Sequence, residues 1–451
     1  MSQNPKIISL TSAILFLLSL SSIFSFNIPS KYISSPSFIS MINKSQKSRT
    51  ILYASPKNNY HNSCSKNNPC ALEKALKLLN PGYTLYLTKG VYNVGRGINI
   101  KKSGKPDLYI VISSAPNEKV IITSSKTTKE VSLFKVSGSY IIIENLTFGR
   151  VTALDVQGIV FYEGGQHNII IRNNKFTELK SNVKIIKDEK KRGDKGNHGA
   201  NGILIQGEKK LIKQIIIFKN ELTNNVLGYS EAISIAGNCE EIYVLNNTLK
   251  NNNNIGIDFN GNNDIAEQKK LDQPRKSVAM YNIIQKSLSP YDDCAGLYVD
   301  GAKDIYLAEN TITDSQYGIE IGAEEKKNDV KNIIVTNNKV IRNTITGIRV
   351  GGYDEKHSGW VKDSVFKKNH ISGSPTGIII AKVDNISFEE NEIIVGEKKR
   401  FVKVEFSSSS KNIKFKSNLF SGNGDFKIHK NSLSLSEFIK KILRIKRNRI
   451  I

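Results

Sequence analysis

Cysteine, histidine and tryptophan are scarce in this chain, at four, six and one in 451 residues. No cysteine lies in a metal-spaced pair with a histidine, which argues against zinc chemistry and Cys/His nucleophilic catalysis. A glycine loop of phosphate-cradling spacing is missing, so no nucleotide cofactor is indicated. Basic stripes interleaved with aromatics are missing too, and nucleic acid therefore has no footing. Beyond residue 26 no apolar run is long enough to cross a bilayer, and no composition break or Pro/Ser linker divides the chain. One elongated body is implied.

The first 26 residues differ. Lys6 precedes an apolar run from Ala13 to Leu20, extended by Ile23 and Phe24, as in the n- and h-regions of a cleaved secretory signal. Residues 27–50 read as a Ser-rich flexible segment. Secretion gives meaning to Cys64 and Cys70, whose five intervening residues close readily into a local disulfide in an oxidising compartment. Cys239 and Cys294 are left without an assigned partner. The formal charge of +24 is spread over lysines along the whole chain. Such a body attracts polyanions such as uronate polymers at long range, although an AT-rich coding sequence would enrich Lys, Asn and Ile as well.

One pattern recurs from Ile169 to Phe420: apolar, any, apolar, two residues, Asn, any, apolar. It reads IIIRNNKF, IIIFKNEL, IYVLNNTL, IYLAENTI, IIVTNNKV, ISFEENEI and IKFKSNLF, with its Asn at 174, 220, 247, 282, 310, 338, 369, 391 and 418. Between these lie second strands such as IGIDFNG, AGLYVDG, YGIEIGA and TGIRVGG. Alternating apolar residues in short β-branched runs exclude a helical repeat, and the period is that of a β solenoid. Two strands per period are predicted. The regular Asn is expected at the bend, tolerating the left-handed region and bonding its equivalent in the next coil.

Residues 51–100 are predicted to hold an N-terminal cap with a short helix, LEKALKLL at 72–79, and the first strands. The solenoid follows over 101–422. SLSE at 434–437 is a capping box leading a basic amphipathic helix within a C-terminal tail at 423–451. The stretch from Ala54 through CSKNNPCALEKALKLLNPGYTLYLTKGVY, with NNNNIGIDFNG and the run from Ala295 to Glu324, resembles secreted proteins of the pectate-lyase superfamily. That resemblance implies an all-β fold, a right-handed parallel β-helix, and an extracellular monomer acting on or binding acidic polysaccharide. Uronate lyases, polygalacturonase-like hydrolases, epimerases and non-catalytic members all occur within it.

Aligning the second strands puts Leu204, Ser234, Asp258, Tyr298, Glu320, Arg349 and Ile379 in one outward column, with neighbours about 4.8 Å apart. The next outward column contains Asp300. Stacked carboxylates are costly without a cation, so Asp258, Asp300 and Glu320 are the expected Ca2+ ligands. Arg349, Tyr298 and Glu320 are the candidate catalytic residues, with Lys269 and Lys270 as alternative bases. Glu231, Asp258, Arg275 and Glu324 are candidate substrate contacts, and the loop at 262–277 is expected to wall the groove. Three classes stay open: a calcium-dependent lyase, a hydrolase using two of these carboxylates, and a glycan-binding protein without turnover.

Overall fold

The computed structural model describes residues 27–421 and strand Arg449–Ile450, apart from 44–47, 58, 126–128, 185, 187–197, 291, 355, 395–403 and 407–409. The leader and the C-terminal capping box lie outside the described residues.

Strand after strand pairs in parallel with its equivalent one coil later, from Thr50–Ala54 on Tyr83–Leu87 to Val383–Glu389 on Lys411–Lys416. Several coils have three strands rather than the expected two, for example Ala295–Asp300, Ile305–Ala308 and Thr311–Thr313. The third begins directly after the bend at Glu309 and Asn310. Inward residues stack by type, as in Ile233, Ile257, Leu297, Ile319, Ile348 and Ile378, all fully buried. Burying such side chains stabilises the folded state by about 1.5–3 kcal/mol each. Phe366, Phe388 and Phe415 stack with centroids 4.7 and 5.0 Å apart. The fold is a right-handed parallel β-helix.

The Asn ladder is continuous from 174 to 418, each Nδ2 donating to Oδ1 of the next at 2.9–3.1 Å. The left-handed residue is the one before each ladder Asn, such as Tyr281, Glu309 or Lys368 with φ of 57°, 55° and 54°. The amide therefore bonds across the bend while its predecessor makes the turn. At the N-terminal end the helix Leu72–Leu78 buries Leu72, Ala75 and Leu76, and Cys64 and Cys70 are bonded to each other. Cys239 and Cys294 are free and buried.

Residues 27–43 are not the flexible segment expected. They form a strap, including the short helix Pro36–Ser40, laid across the outer face of several coils. Tyr32, Phe38 and Ile42 pack with Ile142, Ile170, Ile216, Tyr243 and Val278 in a hydrophobic cluster separate from the bore. The Tyr243 hydroxyl donates to the Tyr32 carbonyl at 2.7 Å, Ser34 N to Glu241 Oε1 at 2.8 Å and Arg172 Nη1 to the Ile42 carbonyl at 2.7 Å.

Candidate functional site

The predicted column exists residue for residue: Leu204, Ser234, Asp258, Tyr298, Glu320, Arg349 and Ile379 are successive register partners. Asp258 therefore faces Tyr298, with Asp300 two residues further along the same strand. The row was expected on a solvated face. Instead Asp258 and Glu320 are 1% exposed, Tyr298 and Asp300 4%, and Arg349 7%. Loops cover this side of the solenoid. In the insertion, Gln273 Nε2 donates to the carbonyls of Gly301 at 2.7 Å and Asp329 at 3.2 Å. Lys327 Nζ reaches the Asn262 carbonyl at 2.9 Å, so the insertion is a wall tied to a later coil.

Glu320 is held on two sides. Arg349 Nη1 donates to its Oε1 at 2.8 Å, and the Tyr353 hydroxyl donates to the same oxygen. Arg349 also bonds the carbonyls of Gly351 and Gly352, and its guanidinium lies 3.6 Å from the centre of the Tyr353 ring. Tyr298 donates to Glu324 Oε1 at 2.7 Å and meets the Tyr353 hydroxyl at 3.2 Å. Asn201 Nδ2 donates to the Glu231 carbonyl at 2.8 Å and lies 3.5 Å from its carboxylate. Asp258 Oδ1 is buried with no hydrogen-bond partner.

Burial, more than neighbouring charge, sets the proton affinities. It lifts Glu231 and Glu320 to about 7, with Arg349 and Tyr353 partly offsetting the rise at Glu320. Asp258 is pushed well above the carboxylate range by burial and then by Glu231 and Glu324. Asp300 rises likewise through burial, Glu324 and Asp258. Burial also raises Glu324, whose carboxylate is crowded although part of the residue meets solvent. Burial alone would lower Arg349, but Glu320 outweighs it and the guanidinium stays a cation. Arg349 thus suits charge neutralisation and not proton abstraction.

The structure brings Glu231, Asp258, Tyr298, Asp300, Glu320, Glu324 and Arg349 to one recess. Arg275 is not among them: it pairs with Glu240 at 3.1 Å and Asn238 at 3.0 Å. Lys269 is exposed and paired with Asp264 at 2.7 Å. Among the described residues, no three His, Cys, Asp or Glu side chains converge as a metal-binding group. The trio Asp258, Asp300 and Glu320 therefore does not assemble as a ligand set, since Glu320 is taken by Arg349 and Tyr353. Sequence reasoning missed Tyr353, which sits in a loop after Gly351 and Gly352 without periodicity. It also missed Tyr317, whose hydroxyl donates to Asp293 at 2.8 Å and whose ring joins Ala295 and Tyr298 in an apolar shelf flanked by Ile255 and Ile345. A separate cleft of about 590 Å3, bordered by Tyr86, Glu118, Glu144 and Lys175, contains none of the recess residues.

Residues 52–198 match the family described as Pel9A-like, right handed beta helix region, and residues 295–450 match right handed beta helix region. A protein of Bacillus subtilis (strain 168), YwoF, is 29% identical over 382 residues, 80% of this chain and 78% of its own. Among solved structures, the A-module of the mannuronan C-5 epimerase AlgE4 from Azotobacter vinelandii superposes with a TM-score of 0.52 at 12% identity. That match covers 82% of this chain and 91% of that one. A mannuronic acid specific polysaccharide family 6 lyase from human gut microbiota gives 0.51 at 15% identity, covering 89% and 91%. An exopolygalacturonase from Thermotoga maritima gives 0.50 at 10%, covering 86% and 90%. At such identities these likenesses speak for the fold.

Proposed function

We propose that this right-handed parallel β-helix protein of the pectate-lyase-like superfamily is a secreted, carbohydrate-active protein that cleaves glycosidic links by acid–base chemistry at the buried row. The observation that carries the reading is the stacking of Asp258, Tyr298, Glu320 and Arg349 in register, buried, with Asp258 Oδ1 lacking a partner. Paired carboxyls whose environments push their proton affinities apart are an acid and a base. Asp258 is kept protonated by burial and by Glu231 and Glu324, which suits donation to the glycosidic oxygen. Glu320, held by Arg349, is the group to take a proton from water. Two coils separate them, about 9.6 Å by sheet spacing, which leaves room for that water and predicts inversion at the anomeric carbon. Arg349 is a positioning residue here, and Tyr298 lies between acid and base.

The body's charge of +24 favours an acidic polysaccharide as the polymer. A calcium-dependent uronate lyase is the second reading, favoured by the unpartnered Asp258 oxygen beside Asp300. A panel of polysaccharides, with and without Ca2+, separates the readings. Hydrolysis gives new reducing ends that persist in EDTA. A lyase gives ultraviolet-absorbing unsaturated ends that need Ca2+. Binding without either product refutes both.

A further inference from the structure

Glu231, Asp258, Asp300, Glu320 and Glu324 gather in the recess, and the cation in contact with them, Arg349, is already committed to Glu320 and two backbone carbonyls. The chain as a whole is strongly basic, whereas the recess gathers carboxyl groups. Asp258 is 1% exposed and its Oδ1 accepts nothing from the protein. It is an acceptor waiting for a donor. In the column next to the row, Ser132, Gln157 and Asn201 are uncharged register partners, with Ser132 Oγ donating to Gln157 Oε1 at 2.7 Å. Beside the acids lies the apolar shelf of Ala295 and Tyr317 with Ile255 and Ile345, suited to the apolar face of a sugar ring.

We infer that the sugar seated on the acid row carries no carboxylate and presents a hydrogen-bond donor, hydroxyl or ammonium, to Asp258 Oδ1. The anionic groups of the polymer then lie away from the row, against the basic body. A uronate there would have to give up its water beside side chains so buried that Asp258 and Glu320 are 1% exposed, with Arg349 already taken by Glu320. This rests on the reading that the row is the glycan site.

Calorimetric titration of the full chain with oligosaccharides of equal length decides the matter, at about 0.15 M salt so that the body charge is screened. The probes are a neutral N-acetylglucosamine oligomer, its deacetylated ammonium form, and galacturonate and mannuronate oligomers. The neutral or ammonium oligomer is expected to bind at least about tenfold tighter than either uronate, a difference of about 1.4 kcal/mol. If the donor is ammonium, binding releases protons and Asp258→Asn weakens it; if hydroxyl, no protons are released and Asp258→Asn changes affinity only a few-fold. Uronates that bind as tightly as the other oligomers overturn the inference while leaving the glycan site standing. Failure of every oligomer to bind, with no cleavage of any polysaccharide, overturns the site as well. Should Asp258→Asn not fold, the wild-type ranking still decides.

Discussion

Removing one interior rung of the Asn ladder is a demanding test of what holds the solenoid together. In Asn310→Ala, four hydrogen bonds vanish: Nδ2 to the Ala279 carbonyl at 2.9 Å, Nδ2 to Asn338 Oδ1 at 3.0 Å, and the bonds from Asn282 N and Nδ2 to Oδ1 at 3.0 and 2.9 Å. At about 1 kcal/mol per bond the loss is about 4 kcal/mol, and the buried Asn282 N–H is left without this acceptor. For a body of this size that corresponds to a fall in Tm of about 4–5 °C if unfolding is all-or-none. A solenoid can also open locally, so hydrogen exchange should rise first in the coils around 277–341. Asn418→Ala, at the last coil of the ladder, should cost less because only terminal coils depend on it. The amide ladder is a stabilising element, so a folded Asn310→Ala should retain activity where it remains native. Melting within about 1 °C of wild type, or loss of activity at unchanged stability, refutes the reasoning.

Three further outcomes follow from the recess and the cap. Glu320 is neutral in both states below its unfolded value and keeps its proton in the folded state up to about 7, so the stability present below pH 4.5 is lost as pH rises through 7. At about 1.4 kcal/mol per pKa unit this is about 3 kcal/mol, and Glu320→Gln should flatten the Tm–pH profile between 4.5 and 8; an unchanged slope counts against a buried, proton-retaining Glu320. Arg349→Lys keeps the charge but loses the stacking on Tyr353 and the carbonyl bonds, and should lower kcat with KM little changed and shift the basic limb of the pH–rate profile; a change in KM alone would make Arg349 a substrate contact. Non-reducing peptide mapping should find Cys64 and Cys70 linked, with Cys239 and Cys294 alkylated only after unfolding; alkylation of Cys64 in the native protein contradicts the cap.

Much of this architecture was legible because a solenoid repeats its constraints. The nine ladder asparagines and the column from Leu204 to Ile379 were readable from spacing alone, since strand period and coil register leave little freedom. The left-handed residue before each Asn was not, because Asn, Lys, Tyr, Glu and Ser all occupy it and hydrogen bonds on both sides enforce the turn. Burial of the acid row was equally hidden: the cover comes from loops distant in sequence, and Gln273 reaching Asp329 has no local signature. Arg275 was placed in the site by its loop, yet Glu240 and Asn238 of strand Ile233–Leu245 hold it elsewhere. Residues 27–43 looked unstructured because their partners lie far along the chain.

That strap imposes an order on events in time. Ser34 bonds Glu241 and Tyr32 bonds Tyr243, more than 200 residues later in the chain, and its apolar groove extends to Ala308. Coils can close one upon the next as they emerge, each contact local. The first segment made cannot do so; its groove does not exist until two-thirds of the polypeptide has appeared. Translation therefore leaves Tyr32 and Phe38 waiting until Ala308 has been made, and an early segment seals a seam that later residues build.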